Sequence, residues 1–156
     1  MRYIAYGSNM EQDQMALRCP GAKLIGTGYI TGARLEFYLH ATVENTGNGE
    51  DRVPVAVWEI CDADERSLDR YEGFPVYYTK ETWPVHLDDD SETDGMIYLM
   101  KLLRKQPPAG YYYEGIADAY RRLGLDTQID AVLKPALDRS VARGERSGKN
   151  GAGEFG

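Results

Sequence analysis

The spacing of apolar positions along the chain changes several times, and each change marks an element. Residues 2–6 (Arg-Tyr-Ile-Ala-Tyr) form a short β-prone run that stops at Gly7. Over residues 10–18, Met10, Gln14 and Leu17 fall on one side, as in a short helix; Asn9 stands at the N-cap position and Gln12 where a capping-box partner belongs. Cys19-Pro20-Gly21 ends that helix. Residues 22–31 and 34–41 alternate apolar and polar side chains and predict a pair of strands. Residues 44–52 are rich in turn formers and predict a loop. Residues 53–60 are apolar on both faces until Glu59, the pattern of a central strand.

The second half repeats these signals. Asp62 reads as an N-cap with Glu65 three residues on, opening a helix that carries Leu68 and Tyr71 and stops at Gly73. Residues 76–87 and 95–102 predict two strands joined by an acidic loop, 88–94. Residues 111–123 place Ile116, Ala119, Tyr120 and Leu123 on one helical face, with Gly124 as the stop. A last helix is expected over 127–142, kinked or interrupted near Pro135, and the Gly-rich polar stretch 143–156 reads as a disordered tail. No internal repeat is present. Strands dominate the middle without strict βαβ alternation, so residues 1–142 predict one mixed α+β domain, built as a small mixed β-barrel with peripheral helices on its rim.

Composition narrows the function classes. The 156 residues suffice for one hydrophobic core. Net charge is −7, with no basic patch interleaved with aromatics, which argues against nucleic-acid binding. No window approaches a membrane span and no apolar signal segment precedes Gly7. Cys19 and Cys61 are far apart, and His40 and His86 are isolated, so no metal site is expected and a reduced, cytoplasmic setting fits. The compositional oddity is twelve tyrosines, clustered at Tyr77-Tyr78 and Tyr111-Tyr112-Tyr113. They serve either as core with wet edges or as the lining of a small polar pocket.

Two segments could carry chemistry. A strand turning through Gly7-Ser8-Asn9 into a helix leaves backbone N–H groups unpaired and pointing one way, which suits a carboxylate or an oxyanion. The same turn also serves as a plain connector with Ser8 or Asn9 as a cap. Ser8 lacks the G-x-S-x-G elbow and a histidine partner, so it is not read as a nucleophile. Glu72 falls in the last turn of its helix, where the dipole disfavours an anion, and burial among Tyr71, Phe74 and Pro75 would raise its pKa further. That suits a group that takes and returns a proton near neutral pH. The alternative is a solvated glutamate beside a helix-stopping glycine.

These segments stand in a family-like order. Tyr6-Gly7-Ser8-Asn9-Met10 resembles the opening motif of the γ-glutamylcyclotransferase-like (AIG2-like) family. The resemblance continues through Cys19-Pro20-Gly21-Ala22 and Leu68-Asp69-x-x-Glu72-Gly73-x-Pro75-x-x-Tyr78 to Pro108-x-x-x-Tyr112-x-x-x-Ile116, spanning residues 3–124. It implies a small mixed barrel with a cavity bounded by residues 6–9 and holding Glu72. It further implies a small-molecule γ-glutamyl substrate, cyclised to 5-oxoproline with release of an amine, and no metal or organic cofactor. Glu72 would be the general base and acid. Tyr6, Gly7, Ser8 and Asn9 would hold the substrate, and Tyr78 and Tyr112 would position it, with Tyr111 and Tyr113 as register alternatives for Tyr112. Two departures stand out: Lys80 where the family often has arginine, and Pro108-Ala109 where it often has Pro-Ser. A non-catalytic module that binds or senses a small anion on the same fold is the competing expectation.

Overall fold

The computed structural model of the chain describes residues 1–101 and 105–141. Five strands close into a barrel in the order β1-β5-β2-β6-β7: β1 (Arg2–Ala5), β2 (Lys23–Thr31), β5 (Arg52–Glu59), β6 (Tyr78–Leu87) and β7 (Glu92–Met100). The remaining strands, β3 (Ala33–Tyr38) and β4 (His40–Asn45), form a separate two-stranded sheet. Neighbouring barrel strands run antiparallel except at the seam, where β1 meets β7 in parallel at Tyr3↔Met96. The barrel is therefore mixed, as the family resemblance implies. β5 lies between β1 and β2 and is buried from Val53 to Trp58, which explains its two apolar faces.

The helices sit around this barrel. They are α1 (Gln12–Arg18), α2 (Asp62–Glu72), α3 (Gly110–Arg122) and α4 (Asp126–Gln128), with a 3₁₀ turn at Ser8–Met10. Ile4, Val55, Val57 and Ile97 from the strands, Leu68 from α2, and Ile116 and Tyr120 from α3 join one fully buried core. α4 runs into a π-helical stretch, Ile129–Leu133, and on through helical residues 134–141. There the Lys134 N–H reaches back five residues to the Ile129 carbonyl. This is the interruption expected near Pro135: proline has no N–H to give and its ring crowds the carbonyl four residues back, and the wider turn makes room. The expectations for Leu102, Ala142 and the tail 143–156 lie outside the described residues.

Five local expectations need correction. Residues 22–31 and 34–41 do not pair with each other. β2 pairs with β5 and β6, while β3 folds back on β4 through Leu39, which takes φ 71°. Long-range barrel closure overrides the nearest-neighbour pairing. The loop at 44–52 shrinks because Glu44 and Asn45 finish β4, and the acidic loop shrinks because β7 begins at Glu92. The cap of α1 is Glu11, whose carboxylate accepts from Gln14 N at 2.8 Å; Asn9 is buried and its side chain is bound elsewhere. The cap of α2 is Cys61, which shares a reciprocal box with the Asp64 side chain, so the carboxylate that closes the box is Asp64 rather than Glu65.

Candidate active site

The turn at the end of β1 forms the first wall. Met10 N and Glu11 N donate to the carbonyls of Gly7 and Ser8 at 3.0 and 3.2 Å, closing the 3₁₀ turn. Among the described residues no acceptor meets the N–H groups of Gly7, Ser8 and Asn9. A Cβ on Gly7 would sit 3.3 Å from Ala41 Cβ and 3.5 Å from the Tyr112 hydroxyl, so glycine lets the turn approach β4 and α3 closely. Asn9 is locked in place: its side-chain amide donates to the Tyr3 hydroxyl at 2.9 Å, and its carbonyl accepts from the Trp58 indole at 3.1 Å.

Arg18, in the last turn of α1, drew no attention in the sequence, yet it organises this wall. Its guanidinium donates to Asn9 Oδ1 and, at 3.4 Å, to Ser8 Oγ. It also stacks 3.3 Å from the centroid of the Tyr71 ring. Arg18 thereby joins the turn to α2, the helix that carries Glu72.

Glu72 is the last residue of α2, and Gly73 follows in the left-handed conformation (φ 68°). A Cβ at Gly73 would also lie 2.5 Å from the Tyr77 ring, so the chain reverses sharply there only with glycine. Among the described residues no side chain or backbone donor hydrogen-bonds the Glu72 carboxyl. Burial raises its pKa to about 7, against the opposing pull of the Arg18 charge. Of the flanking residues, Tyr71 lines the same cavity although 45% exposed, Phe74 is half-buried and Pro75 is exposed. The barrel tyrosines Tyr3, Tyr78 and Tyr98 line that cavity as well. Burial above all, and then the nearby Glu72 charge, holds the hydroxyls of Tyr3 and Tyr78 protonated.

Tyr78 and Tyr112 both meet the backbone of Ala41. Tyr78 donates to the Ala41 carbonyl at 3.1 Å, and the Ala41 N–H donates to the Tyr112 hydroxyl at 3.1 Å, leaving that hydroxyl's own proton free of any acceptor among the described residues. The register question resolves in the same way. Tyr112 lines the cavity, Tyr113 packs on Phe37, and Tyr111 is 86% exposed. His40 opens β4 as a solvent-exposed strand residue and also lines the cavity, edge-on to Tyr112 with ring centroids 5.3 Å apart, and partial burial lowers its pKa. Tyr6 donates to the Tyr98 carbonyl at 2.6 Å, stitching the β1–β7 seam beside the turn.

Lys80 stands where the family often has arginine. It pairs with Glu65 at 2.8 Å and Asp69 at 3.0 Å, and Asp69 also accepts from the Tyr98 hydroxyl at 2.6 Å. The Asp of the Asp-x-x-Glu segment thus pins α2 to β6 and β7, which sets the position of Glu72 one turn later. Point contacts from an ammonium suffice for two separate carboxylates; a fork is not needed.

All seven residues singled out in the sequence (Tyr6, Gly7, Ser8, Asn9, Glu72, Tyr78 and Tyr112) line one cavity of about 810 Å³. Among the described residues no group of three or more His, Cys, Asp or Glu side chains could hold a metal ion. No helix among them is long and apolar enough to cross a membrane.

Comparison with known proteins bears on this cavity. The family profile described as gamma-glutamyl cyclotransferase, AIG2-like, matches residues 3–129. A solved structure named gamma-glutamyl cyclotransferase superposes with a TM-score of 0.78 at 24% identity, covering 86% of each chain. An uncharacterised protein from Homo sapiens gives 0.75 at 24% identity, over 84% of this chain and 86% of that one. YkqA from Bacillus subtilis gives 0.71 at 17% identity, over 88% of this chain and 54% of that one. No curated protein matches the chain. At these identities the solved structures establish the shared fold.

Proposed function

The chain belongs to the gamma-glutamyl cyclotransferase, AIG2-like family, and we propose that it cyclises the γ-glutamyl group of a small γ-glutamyl amine or amino acid to 5-oxoproline, releasing the free amine. The observation that carries this reading is Glu72: a carboxyl with no hydrogen-bond donor among the described residues, its pKa raised to about 7, in the same cavity as three amide N–H groups that no acceptor among those residues meets.

In this mechanism the N–H groups of residues 7–9 hold the substrate's α-carboxylate or the oxyanion. Deprotonated Glu72 takes a proton from the α-amine as that nitrogen attacks the γ-carbonyl carbon. The new C–N bond closes a five-membered ring, and the carbonyl electron pair becomes an oxyanion. When that pair returns, the bond to the leaving nitrogen breaks and Glu72 delivers its proton there. A pKa near neutrality serves both halves, since the group must accept and then donate. The reaction is intramolecular, so the enzyme's main tasks are to fold the substrate and move one proton. Tyr6, Tyr78 and Tyr112 shape the pocket, and the Tyr112 proton is available to the bound substrate.

The test is incubation of the folded protein with a panel of γ-glutamyl compounds, scored for 5-oxoproline. Release from one or more members, abolished by Glu72→Gln, is expected. Ligand-induced stabilisation with no product from any member would instead identify a non-catalytic binding module.

A further inference from the structure

A second hollow, of about 570 Å³, opens between α1 and α3 beside the Gly-Ser-Asn turn. It adjoins the first cavity across Ser8, Tyr71 and Tyr112, but Leu17, Arg18, Tyr111 and Gly115 line it and not the first. Three features of its walls are idle in the fold or costly to it.

The first is Arg18, a half-buried guanidinium held by neutral groups. Its Nη1 donates to Asn9 Oδ1 and, at 3.4 Å, to Ser8 Oγ, and its central carbon lies 3.3 Å from the Tyr71 ring centroid. With the Gln14 amide oriented to satisfy its neighbours, the Gln14 oxygen takes one Nη2 proton at 2.6 Å. No carboxylate among the described residues pairs with Arg18, and its Nε–H and second Nη2–H meet no acceptor among them. Those two donors are the parallel pair with which a guanidinium grips a carboxylate. The acids on the hollow's wall, Glu11 and Asp13, are already met by Arg122 at 2.9 and 3.5 Å.

The second feature is Gly115, inside α3. Glycine weakens a helix interior, and here no backbone need explains it: a Cβ would meet nothing within 4 Å. The missing side chain leaves the hollow open on the α3 side. The third is the lip. Leu17 and Tyr111 are 85% and 86% exposed, and both line this one hollow, with Tyr71 and Tyr112 as further ring surface.

We propose that this hollow is a second ligand site, for a small carboxylate on a planar apolar body: Arg18 takes the carboxylate, and the rings of Tyr71, Tyr111 and Tyr112 take the body. Such a site exists or not whatever reaction Glu72 performs.

Its occupant is felt at Glu72. Burial raises the pKa values of Tyr3, Cys19, Glu72 and Tyr112, and the Arg18 charge pulls each of them back. Of the four, only Glu72 is brought near neutrality. A carboxylate seated on Arg18 offsets that pull, so filling the hollow lowers the ionised fraction of Glu72 at neutral pH. His40, also on the hollow's wall, has its pKa lowered by burial and is neutral at pH 7.

Calorimetry on the full-length protein at pH 7 tests the site with benzoate, benzyl alcohol (the ring without the charge) and acetate (the charge without the ring). Benzoate should bind saturably and about tenfold or more tighter than either of the others. Gly115→Leu, which fills the hollow from α3, and Tyr111→Ser, which removes a ring from its lip, should each weaken benzoate by about fivefold or more. Arg18→Gln should bring benzoate down to the level of benzyl alcohol. Saturating benzoate should move the ¹³C titration midpoint of the Glu72 carboxyl up by about 0.5 on the pH scale in wild type, and leave it in place in Gly115→Leu. No saturable benzoate binding, or equal affinity for benzyl alcohol or acetate, would overturn the site. So would binding that survives both Gly115→Leu and Tyr111→Ser, which would put the ligand on the amides of residues 7–9. Binding with an unmoved Glu72 midpoint would overturn the link to the first cavity. A thermal midpoint for Gly115→Leu at or above wild type marks its effect as local; if it falls below, Tyr111→Ser, at an exposed position, decides. Turnover of γ-glutamyl compounds enters none of these readouts, so the cyclotransferase reading and the second site fail separately.

Discussion

Glu36 and Glu72 are two glutamates withdrawn from water in different regions of one small molecule. Glu36 lies on β3 with no exposed side-chain surface. Arg34 stands 2.7 Å from it, Arg139 at 3.1 Å and Lys105 at 3.3 Å, and Arg139 also donates to the Leu35 carbonyl at 2.8 Å. The cluster ties the C-terminal helical residues and the segment after β7 to the two-stranded sheet. Glu72, in the tyrosine-lined cavity, has no hydrogen-bond donor among the described residues, and Arg18 acts on it only through space. Burial with cations alongside gives a fixed charge that holds elements together. Burial without them gives a carboxyl for which the neutral and ionised forms are nearly equal in free energy at neutral pH. The first is useful to a fold, the second to a proton transfer.

The contrast is broken most directly by exchanging each glutamate for glutamine and measuring both activity and stability. At Glu72 the substitution should lower kcat for 5-oxoproline formation by about 10²–10⁴-fold while the protein stays folded. At Glu36 it should leave cations facing a neutral amide and lower unfolding free energy by roughly 2–4 kcal/mol in a urea titration, because an ion cluster that has lost its anion is left desolvated and unpaired. The reverse pattern, stability lost at Glu72 and activity lost at Glu36 with the fold intact, would refute the division of labour.

A third prediction concerns sign. The Glu72 pKa is raised on folding, so between about 4.5 and 7 the folded state binds more protons than the unfolded state, and stability falls as pH rises through that window. At pH 8 wild type should be less stable than Glu72→Gln by roughly 1–3 kcal/mol, and the gap should close as pH drops below the unfolded value. Denaturation midpoints of both proteins at pH 4.5 and pH 8 check this.

The smallest expected effect sharpens the role of Arg18. Its charge lowers the Glu72 pKa, so Arg18→Gln should move the acidic limb of kcat/KM to higher pH and reduce kcat/KM at pH 6.5 by roughly 3- to 10-fold. Arg18→Lys should restore the position of the limb, since it keeps the charge. It should not restore the full rate, because an ammonium cannot stack on Tyr71 and hold Asn9 and Ser8 with the same fork.

What could be read from the chain divides along the same line. Glu72 beside Gly73, and the Gly-Ser-Asn turn after a short strand, are local patterns, and they were legible because helix stops and strand ends are set by a few adjacent residues. The barrel class was legible from the density of short strands. The gathering of Tyr3 and Tyr98, from β1 and β7, into the cavity that Glu72 lines was not, because no spacing along the chain records a closed seam. Arg18 reads as an ordinary basic residue at a helix end, and only the folded turn shows it bridging to Tyr71. His40 stayed hidden because β3 turns onto β4 through Leu39 instead of pairing with β2. Asn9 misled as a cap because its side chain had a stronger use, between Tyr3 and Arg18.

The central claim is that the Glu72 carboxyl exchanges its proton near neutral pH in the folded protein. Its side-chain carboxyl carbon can be followed by ¹³C NMR across pH 3–9 in selectively labelled protein, assigned by the resonance that disappears in Glu72→Gln. The account predicts a transition at about 7. A transition at the ordinary carboxylate value of about 4.3 would contradict it.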